Sequence, residues 1–353
     1  MAFVLNEKGE LYAEPETTYG TTPAASTLVA GDVQNLRTFK TRIVPGKVAV
    51  EDEGGGMIPG VAGQELLKVN SQVEYEGSMY LREFTVAVTD DGTRPDYDIW
   101  LRAGGFLEGV PNVPARTITY DMALANNGES LVYRYREWDS EGGRKLHDVQ
   151  GARHSVNFKF KASDGIMIEI TDGKALSYAT SQVSAATTSP SLTLNGGTSV
   201  IPYLGATQAL LEIGGSTYAG KIREVNFGLP QRTEMLEDAA SATGFCEAFS
   251  NIIKPTFDML VYERDDDLQI RDAWNTADAH FYLSLSVAGP ATAGNTMSFQ
   301  FYFDIAEIAE EAGPAGTKAL RVTGKLLFAD RAANTAVALD PSEPPIRMVL
   351  TTT

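Results

Sequence analysis

The sequence has few of the side chains that enzymes and metal sites use for their chemistry. Its 353 residues include one cysteine, Cys246, and three histidines, His147, His154 and His280. A single cysteine excludes a disulfide within the chain and a zinc site built from several cysteines. The histidines are not three or four residues apart, as two ligands on one helix face would be, so we expect no metal site.

Long apolar runs and positive charge are also scarce. No stretch approaches the roughly 18 apolar residues of a membrane-spanning helix, and the N-terminal segment MAFVLNEKGELYAEPE lacks the apolar core of a secretory signal. The chain has 46 acidic and 29 basic residues, for a formal net charge of -17. This balance opposes tight binding to nucleic-acid phosphates or to anionic membranes. We therefore expect a protein that is made in a cytoplasm and does not bind a membrane.

What the sequence does contain is long stretches that alternate apolar and polar residues, with the period of a half-buried strand. In VNFKFKASDGIMIEI, residues 156–170, Val156, Phe158 and Phe160 share one face, and Asp164-Gly165 marks a tight turn. In MSFQFYFDI, residues 297–305, every second side chain is again apolar. Both stretches predict long antiparallel hairpins.

Turn and helix signals divide the chain into two similar halves. RPDYDIWLRAGGF, residues 94–106, opens with Pro95 and closes on a glycine pair, which predicts a short helix. A second short helix is predicted to begin near Asp266 or Asp267. Each half therefore has paired strands, one short helix and an alternating hairpin, which indicates an internal duplication. We predict a mainly β fold with an extended arm and loops at 1–65, a first β domain at 66–180, a linker at 181–199 and a second β domain at 200–353.

The remaining clusters of reactive residues have simpler structural explanations. Asp265, Asp266 and Asp267 could bind calcium, but the run lacks the glycine of an EF-hand turn, and capping of the following helix explains it better. The acidic residues at 51–53 could form an acid–base pair, but adjacent strand residues point to opposite faces. We expect no catalytic residue, cofactor or metal.

Two segments carry a resemblance to a known family. ETTYGTTPA, residues 16–24, and VQGARHSVNFKFKASDGIMIEITDG, residues 149–173, resemble the major tail tube proteins of long-tailed bacteriophages. With the loop-rich arm and two β domains, the resemblance covers essentially the full chain. The chain resembles the duplicated variety, in which one subunit supplies two tail-tube-type antiparallel β-sandwich or half-barrel domains, each with a short helix.

The resemblance implies a structural subunit that polymerises as stacked rings and forms the DNA-conducting channel of a virion tail, after synthesis in the host bacterial cytoplasm. Its partners would be further copies of itself and the tail terminator, tape measure and distal tail proteins. DNA would pass through an acidic wall without specific binding. Two tube folds per chain favour a ring of three chains over a ring of six.

The same resemblance suggests which residues make the contacts. The arm would order on assembly and contact a neighbouring ring through Tyr12, Glu16, Thr17, Thr18, Tyr19 and Pro23. The candidate residues of the lumen or inner-sheet strands are Asn157, Lys159, Lys161, Glu169, Ser298, Gln300 and Asp304.

Two functions of other classes are also compatible with the residues. The first is a monomeric two-domain β-sandwich adhesin or carbohydrate-binding protein that uses Trp138 or the loops. The second is a hydrolase that uses Glu51, Asp52 or the aspartates at 265–267. A long, loop-rich arm favours assembly, because a monomeric lectin has little use for it.

Overall fold

The fold is known from a computed structural model, and its described parts cover most of the strands. The described residues are 4–16, 19–20, 36–44, 47–52, 63–68, 72–88, 94–122, 129–139, 144–161, 164–183, 198–203, 208–213, 216–217, 221–229, 231–238, 240, 245–252, 255–262, 269–275, 281–313, 316–326, 329–330, 335–336 and 346–353. Within these residues the chain is mainly β, and every strand pairing is antiparallel.

The strands and helices follow one another in chain order. The first half contains β1 (Val4–Pro15), β2 (Thr38–Val44), β3 (Lys47–Asp52), β4 (Gly63–Lys68), β5 (Gln72–Tyr80), β6 (Arg82–Phe84), α1 (Asp98–Ala103), β7 (Phe106–Glu108), β8 (Thr117–Met122), β9 (Leu131–Asp139), β10 (Arg144–Lys161), β11 (Met167–Ala175) and β12 (Ser177–Val183). The second half contains β13 (Thr198–Pro202), β14 (Gln208–Ile213), β15 (Ser216–Thr217), β16 (Lys221–Leu229), β17 (Gln231–Glu237), β18 (Phe245–Ile252), β19 (Thr256–Tyr262), α2 (Gln269–Trp274), β20 (Phe281–Ala288), β21 (Thr296–Ala312), β22 (Lys318–Leu326), β23 (Ala329–Asp330), β24 (Thr335–Ala336) and β25 (Ile346–Thr351). Neither helix is long and apolar enough to cross a membrane, as far as the described residues extend.

One continuous sheet runs through both halves, and we call it the eight-stranded sheet. Its strand order is β2-β5-β11-β10-β16-β19-β22-β21. The two halves meet where β10 pairs with β16, from Val156 opposite Leu229 to Lys161 opposite Glu224. Among the described residues, no pairing joins β2 to β21, so the sheet is open at both ends.

A second layer covers the apolar side of this sheet. It has the order β15-β14-β20-β21-β25-β8-β7, and β21 belongs to both layers. Residues 296–303 of β21 pair with β20, whereas the strand pairs with β22 from Phe303 onward. Phenylalanine rings pack between the layers, with the ring centroids of Phe160 and Phe299 4.8 Å apart and those of Phe227 and Phe301 4.5 Å apart. The two layers therefore form a β-sandwich around one aromatic core.

The predicted alternation is confirmed in both hairpins. Val156, Phe158 and Phe160 of β10 are buried, and the apolar side chains of β21 from Met297 to Ile305 are buried as well. The turn after β10 contains Asp164, whose carboxylate accepts a hydrogen bond from the amide of Gly165 at 2.8 Å. Burial of alternate side chains removes apolar surface from water and stabilises each strand in one register.

The predicted helix after Pro95 is also confirmed. α1 spans Asp98–Ala103 and ends at Gly104, whose amide donates to the carbonyl of Trp100 at 3.0 Å. A Cβ atom added at Gly104 would lie 2.0 Å from Cγ2 of Val156, so glycine lets the helix end pack directly on β10. In the second half, α2 begins at Gln269, two to three residues after the predicted start.

The two halves repeat the same order of elements. β2, the β3–β4 hairpin, β5, α1, β10 and β11 correspond to β16, the β17–β18 hairpin, β19, α2, β21 and β22. Within the eight-stranded sheet, each half also has the same spatial order of its four strands: first, second, fourth, third. The repeated order predicted from the sequence is therefore present in the fold.

The predicted arm and linker contain strands that join these sheets. β1 pairs with β9, and β2 pairs with β5 at the end of the eight-stranded sheet. β12 runs into the predicted linker and pairs with the first part of β10. The C-terminal strand β25 returns to the first half and pairs with β8. The described parts of the two halves are thus interlinked at several places.

Candidate functional site

The side of the eight-stranded sheet that faces away from the core carries polar side chains in rows across both halves. One row passes through directly paired positions in all eight strands, namely Thr38, Ser78, Glu169, Asn157, Gly228, Thr256, Lys325 and Asp304. We call this row, with the neighbouring side chains on the same side, the polar face. Because the register is unbroken at the joint between β10 and β16, the two halves form a single surface.

Two cations on the polar face lie beside carboxylates. Lys159 Nζ is 2.6 Å from Glu169 Oε1, and Arg321 Nη1 is 2.6 Å from Asp258 Oδ1. Arg321 also pairs with Glu311. These hydrogen bonds raise the pKa of Arg321 and lower that of Glu311. The polar face therefore has mixed charge. It would repel DNA only to the extent that carboxylates neutralise its cations.

A cleft of about 410 Å³ lies where β2, β5 and β11 meet. Its charged lining residues are Lys40, Arg42, Glu74, Glu76, Asp172 and Lys174. Lys40 Nζ lies 2.9 Å from Glu76 Oε1, but both side chains are largely exposed, so this pair contributes little to stability. Because acids and bases occur together in the lining, the cleft selects no ligand of one charge.

The structure brings together most of the residues predicted for the lumen or inner-sheet strands. The polar face contains Asn157, Lys159, Lys161, Glu169 and Asp304. Ser298 and Gln300 lie instead in the second layer, where β21 pairs with β20 and β25. They alternate with the core residues Met297 and Phe299, so they lie on the outer side of that layer and away from the polar face.

Glu16 and Tyr19, which were predicted to contact a neighbouring ring, lie against both halves of their own chain. The Glu16 carboxylate accepts hydrogen bonds from Ser130 Oγ at 2.5 Å and from the amide of Gly151 at 2.7 Å. The Tyr19 hydroxyl donates to the carbonyl of Gly151 at 3.1 Å and accepts a hydrogen bond from the amide of Ala248. Gly151 lies at a bulge of β10 with φ 66°, a conformation that favours glycine.

Arg153 completes this group, which we call the Glu16–Tyr19 cluster. Its guanidinium carbon lies 4.9 Å from the centre of the Tyr19 ring, and its Nη1 donates to the carbonyl of Ala248 and to Glu247 Oε1, each at 2.7 Å. Burial raises the pKa of the Glu16 carboxyl and of the Tyr19 hydroxyl. The cluster therefore connects the N-terminal segment and β10 of the first half to β18 of the second half through hydrogen bonds.

The other predicted contact residues of the arm have different positions. Tyr12 is buried in β1, opposite Arg134 of β9. Thr17, Thr18 and Pro23 lie outside the described residues. The contact of the arm with a neighbouring ring stays a prediction.

Among the residues that the structure describes, the candidates for catalysis and metal binding do not converge on a site. No group of three His, Cys, Asp or Glu side chains that could hold a metal ion occurs within the described part of the chain. His154 is buried, with Nδ1 2.9 Å from the Tyr75 hydroxyl and Nε2 2.8 Å from the carbonyl of Trp100. Several candidates lie outside the described residues, namely the aspartates at 265–267, Glu53 and His280. The structure also does not describe the side chains of Glu51, Asp52 and Trp138.

Sequence reasoning missed Arg153, Glu247 and Arg321. Arg153 and Glu247 are 94 positions apart, and Arg321 reaches Asp258 across 63 positions. The sequence does place Arg153 shortly after Gly151, but nothing local indicates its partner.

When the chain is compared with models of known protein families and with curated proteins, no match is found.

Proposed function

We propose that this chain is the structural subunit of a phage tail tube, which polymerises as stacked rings around a channel for DNA. The observation that carries the proposal is the eight-stranded sheet, which passes through both halves with the same strand order in each and, within the described residues, has an unpaired edge at each end. Each half corresponds to one tail-tube-type domain. A sheet with unpaired edges is a template for pairing with another chain, and ring closure would remove those edges.

The size of the sheet favours three chains in each ring. A single chain that closed on itself would form an eight-stranded barrel, which side chains fill. Three copies of the eight-stranded sheet would supply 24 strands. At a spacing of about 4.8 Å, these give a backbone diameter of roughly 37 Å, and strand tilt increases this value. Such a barrel is wide enough for a channel.

The polar face is the surface of the sheet that suits the channel. It is continuous across the joint between the halves, and two of its cations, Lys159 and Arg321, lie beside carboxylates. The chain as a whole carries a net charge of -17. The excess of acid would oppose tight binding of DNA phosphates, and the genome would slide without specific contacts.

The remaining parts of the proposal follow from this assignment. The protein would belong to the virion tail after synthesis in the host cytoplasm. The ends of the tube would contact tail terminator and distal tail proteins, and the channel would contain the tape measure protein. The assembly requires no catalysis.

The test is to concentrate the purified protein and image it by negative-stain electron microscopy, followed by a three-dimensional reconstruction. We expect hollow cylinders of stacked rings, with three chains in each ring and the polar face towards the channel. Analytical ultracentrifugation that finds only monomers at all concentrations would contradict the proposal. Rings of six chains, with the second half outside the tube, would overturn the trimer.

A further inference from the structure

The eight-stranded sheet ends in two exposed edges. One edge is β2, which among the described residues pairs only with β5. The other is the last part of β21, residues 304–312, which in the described part of the chain pairs only with β22. Most side chains on both edge segments are exposed. Each edge therefore leaves backbone N–H and C=O groups available for another strand.

The two edges carry charges of opposite sign. Residues 37–44, RTFKTRIV, contain Arg37, Lys40 and Arg42 and no acid. Residues 304–312, DIAEIAEEA, contain Asp304, Glu307, Glu310 and Glu311 and no base. We call these segments the basic edge and the acidic edge.

We propose that the acidic edge of one copy of this chain pairs with the basic edge of the next, and that the charges select this head-to-tail neighbour. This inference rests on the proposed function, because it names the surface through which the rings would close. Opposite charges on facing strands attract, whereas like charges directly opposite each other are destabilising. Pairing of two basic edges or two acidic edges would form a twofold dimer that cannot grow into a ring, and the charges oppose it.

The joint between the two halves provides a precedent within the chain. There β10, the third of the four sheet strands of the first half, pairs with β16, the first of the second half, and Lys161 lies opposite Glu224. By the repeated strand order, β21 and β2 are the corresponding third and first strands. The proposed contact between two copies therefore repeats an antiparallel joint that the chain already makes internally.

The test uses charge reversals at exposed edge positions. The basic-edge variant, Arg37→Glu/Lys40→Glu/Arg42→Glu, makes both edges acidic, and the acidic-edge variant, Glu307→Lys/Glu310→Lys/Glu311→Lys, makes both edges basic. The matched control is Lys325→Glu, which reverses a charge on the polar face at a strand that is paired on both sides. Lys325→Glu places a new acid opposite Asp304, as the basic-edge variant does opposite Glu76 and Glu74. Circular dichroism confirms that each variant is folded.

Assembly is measured as the protein concentration at which half of the chains sediment as rings or larger species. We expect each edge reversal to raise this concentration roughly tenfold or more, since attraction becomes repulsion at every joint. The variant that combines both sets of reversals again has edges of opposite charge and should return it to within about threefold of the wild type. Raising the salt concentration should weaken wild-type assembly, because it screens charges at exposed edges.

The outcomes separate this inference from the proposed function. If the wild type assembles and the edge reversals behave like Lys325→Glu, the charge pairing is wrong and the tube proposal is unaffected. The same conclusion follows if the variant with both sets of reversals assembles as poorly as the basic-edge and acidic-edge variants. If the reversals weaken an assembly that is not a hollow cylinder, the edge pairing holds and the tube proposal fails. A wild type that stays monomeric overturns both.

Discussion

His154 has a fully buried imidazole, and its contacts predict that acid weakens the fold. The carbonyl of Trp100 can only accept a hydrogen bond, so Nε2 carries the proton and Nδ1 accepts from the Tyr75 hydroxyl. This is the neutral form of the ring. Burial lowers the pKa of His154 from 6.5 to about 4, because a charged ring in the core loses its hydration.

The sign of the effect follows from the two states of the chain. Between pH 6.5 and about 4 the unfolded chain binds a proton at His154 and the folded chain does not, so the free energy of unfolding falls as the pH falls through this range. The difference between the pKa values of His154 in the unfolded and folded chain corresponds to roughly 3 kcal/mol of unfolding free energy. Below pH 4 the folded state is protonated as well, and the loss from this residue is complete.

A second buried group, Asp96, has the opposite effect on stability, and its contribution has to be separated from that of His154. Burial raises the pKa of Asp96 from 3.8 to about 6. Between these values the folded chain binds the extra proton, so acidification stabilises the fold at this residue. The measurement is therefore urea unfolding from pH 7 to pH 4 of the wild type and of His154→Gln, which does not titrate, at protein concentrations below assembly. Because Asp96 is present in both proteins, its contribution cancels in the difference.

We expect the stability advantage of the wild type over His154→Gln to shrink by up to roughly 3 kcal/mol between pH 7 and pH 4. When both proteins also carry Asp96→Asn, the protein that retains His154 should lose stability more steeply with acid than the protein with His154→Gln. An advantage that stays constant with pH would refute the reasoning. If His154→Gln does not fold, an NMR titration of the imidazole in the wild type decides the question, since a midpoint near 6.5 would contradict the burial argument.

Two further predictions concern the Glu16–Tyr19 cluster and the ring. Tyr19→Phe removes the hydroxyl that bonds to both halves and should lower the free energy of unfolding by about 1–2 kcal/mol in urea titrations. The control Tyr80→Phe, whose hydroxyl meets an exposed arginine, should change it by less than about 0.5 kcal/mol; equal effects would contradict the role of the cluster. In an equimolar mixture of the basic-edge variant and the acidic-edge variant, unlike chains should alternate, and alternation closes only a ring with an even number of chains. A three-chain ring therefore predicts open assemblies by electron microscopy, and closed rings of wild-type size would contradict it.

Local features of the fold could be read from the sequence because their causes are local. The alternation of Phe158 and Phe160 with lysines predicted β10, and that of Phe299 and Phe301 with polar residues predicted β21. Pro95 and Gly104 marked the helix between them, and α1 lies there. In each case residues close together in the chain set the alternation of the strand or the end of the helix. Neighbouring residues are therefore sufficient to predict the element.

The candidate site was less predictable. Asn157 and Asp304 were both assigned to inner strands, and they share the polar face. Ser298 and Gln300 were grouped with them, because an alternating strand shows no sign of the point at which it leaves one layer for another. β21 changes its partners from β20 and β25 to β22 near Phe303, and these partners are set by packing across the sandwich.

By itself, the sequence determined that the chain is built from strands, that its two halves repeat the same order of elements, and that it carries an excess of acid. Only the tertiary structure decided that β2 joins the sheet, that β10 pairs with β16, and that Tyr19 bonds to both halves. The physical reason is the range of the interactions. Alternation and capping act between neighbours in the chain, whereas strand pairing and buried hydrogen bonds join residues far apart, and burial of the common aromatic core selects among their possible partners.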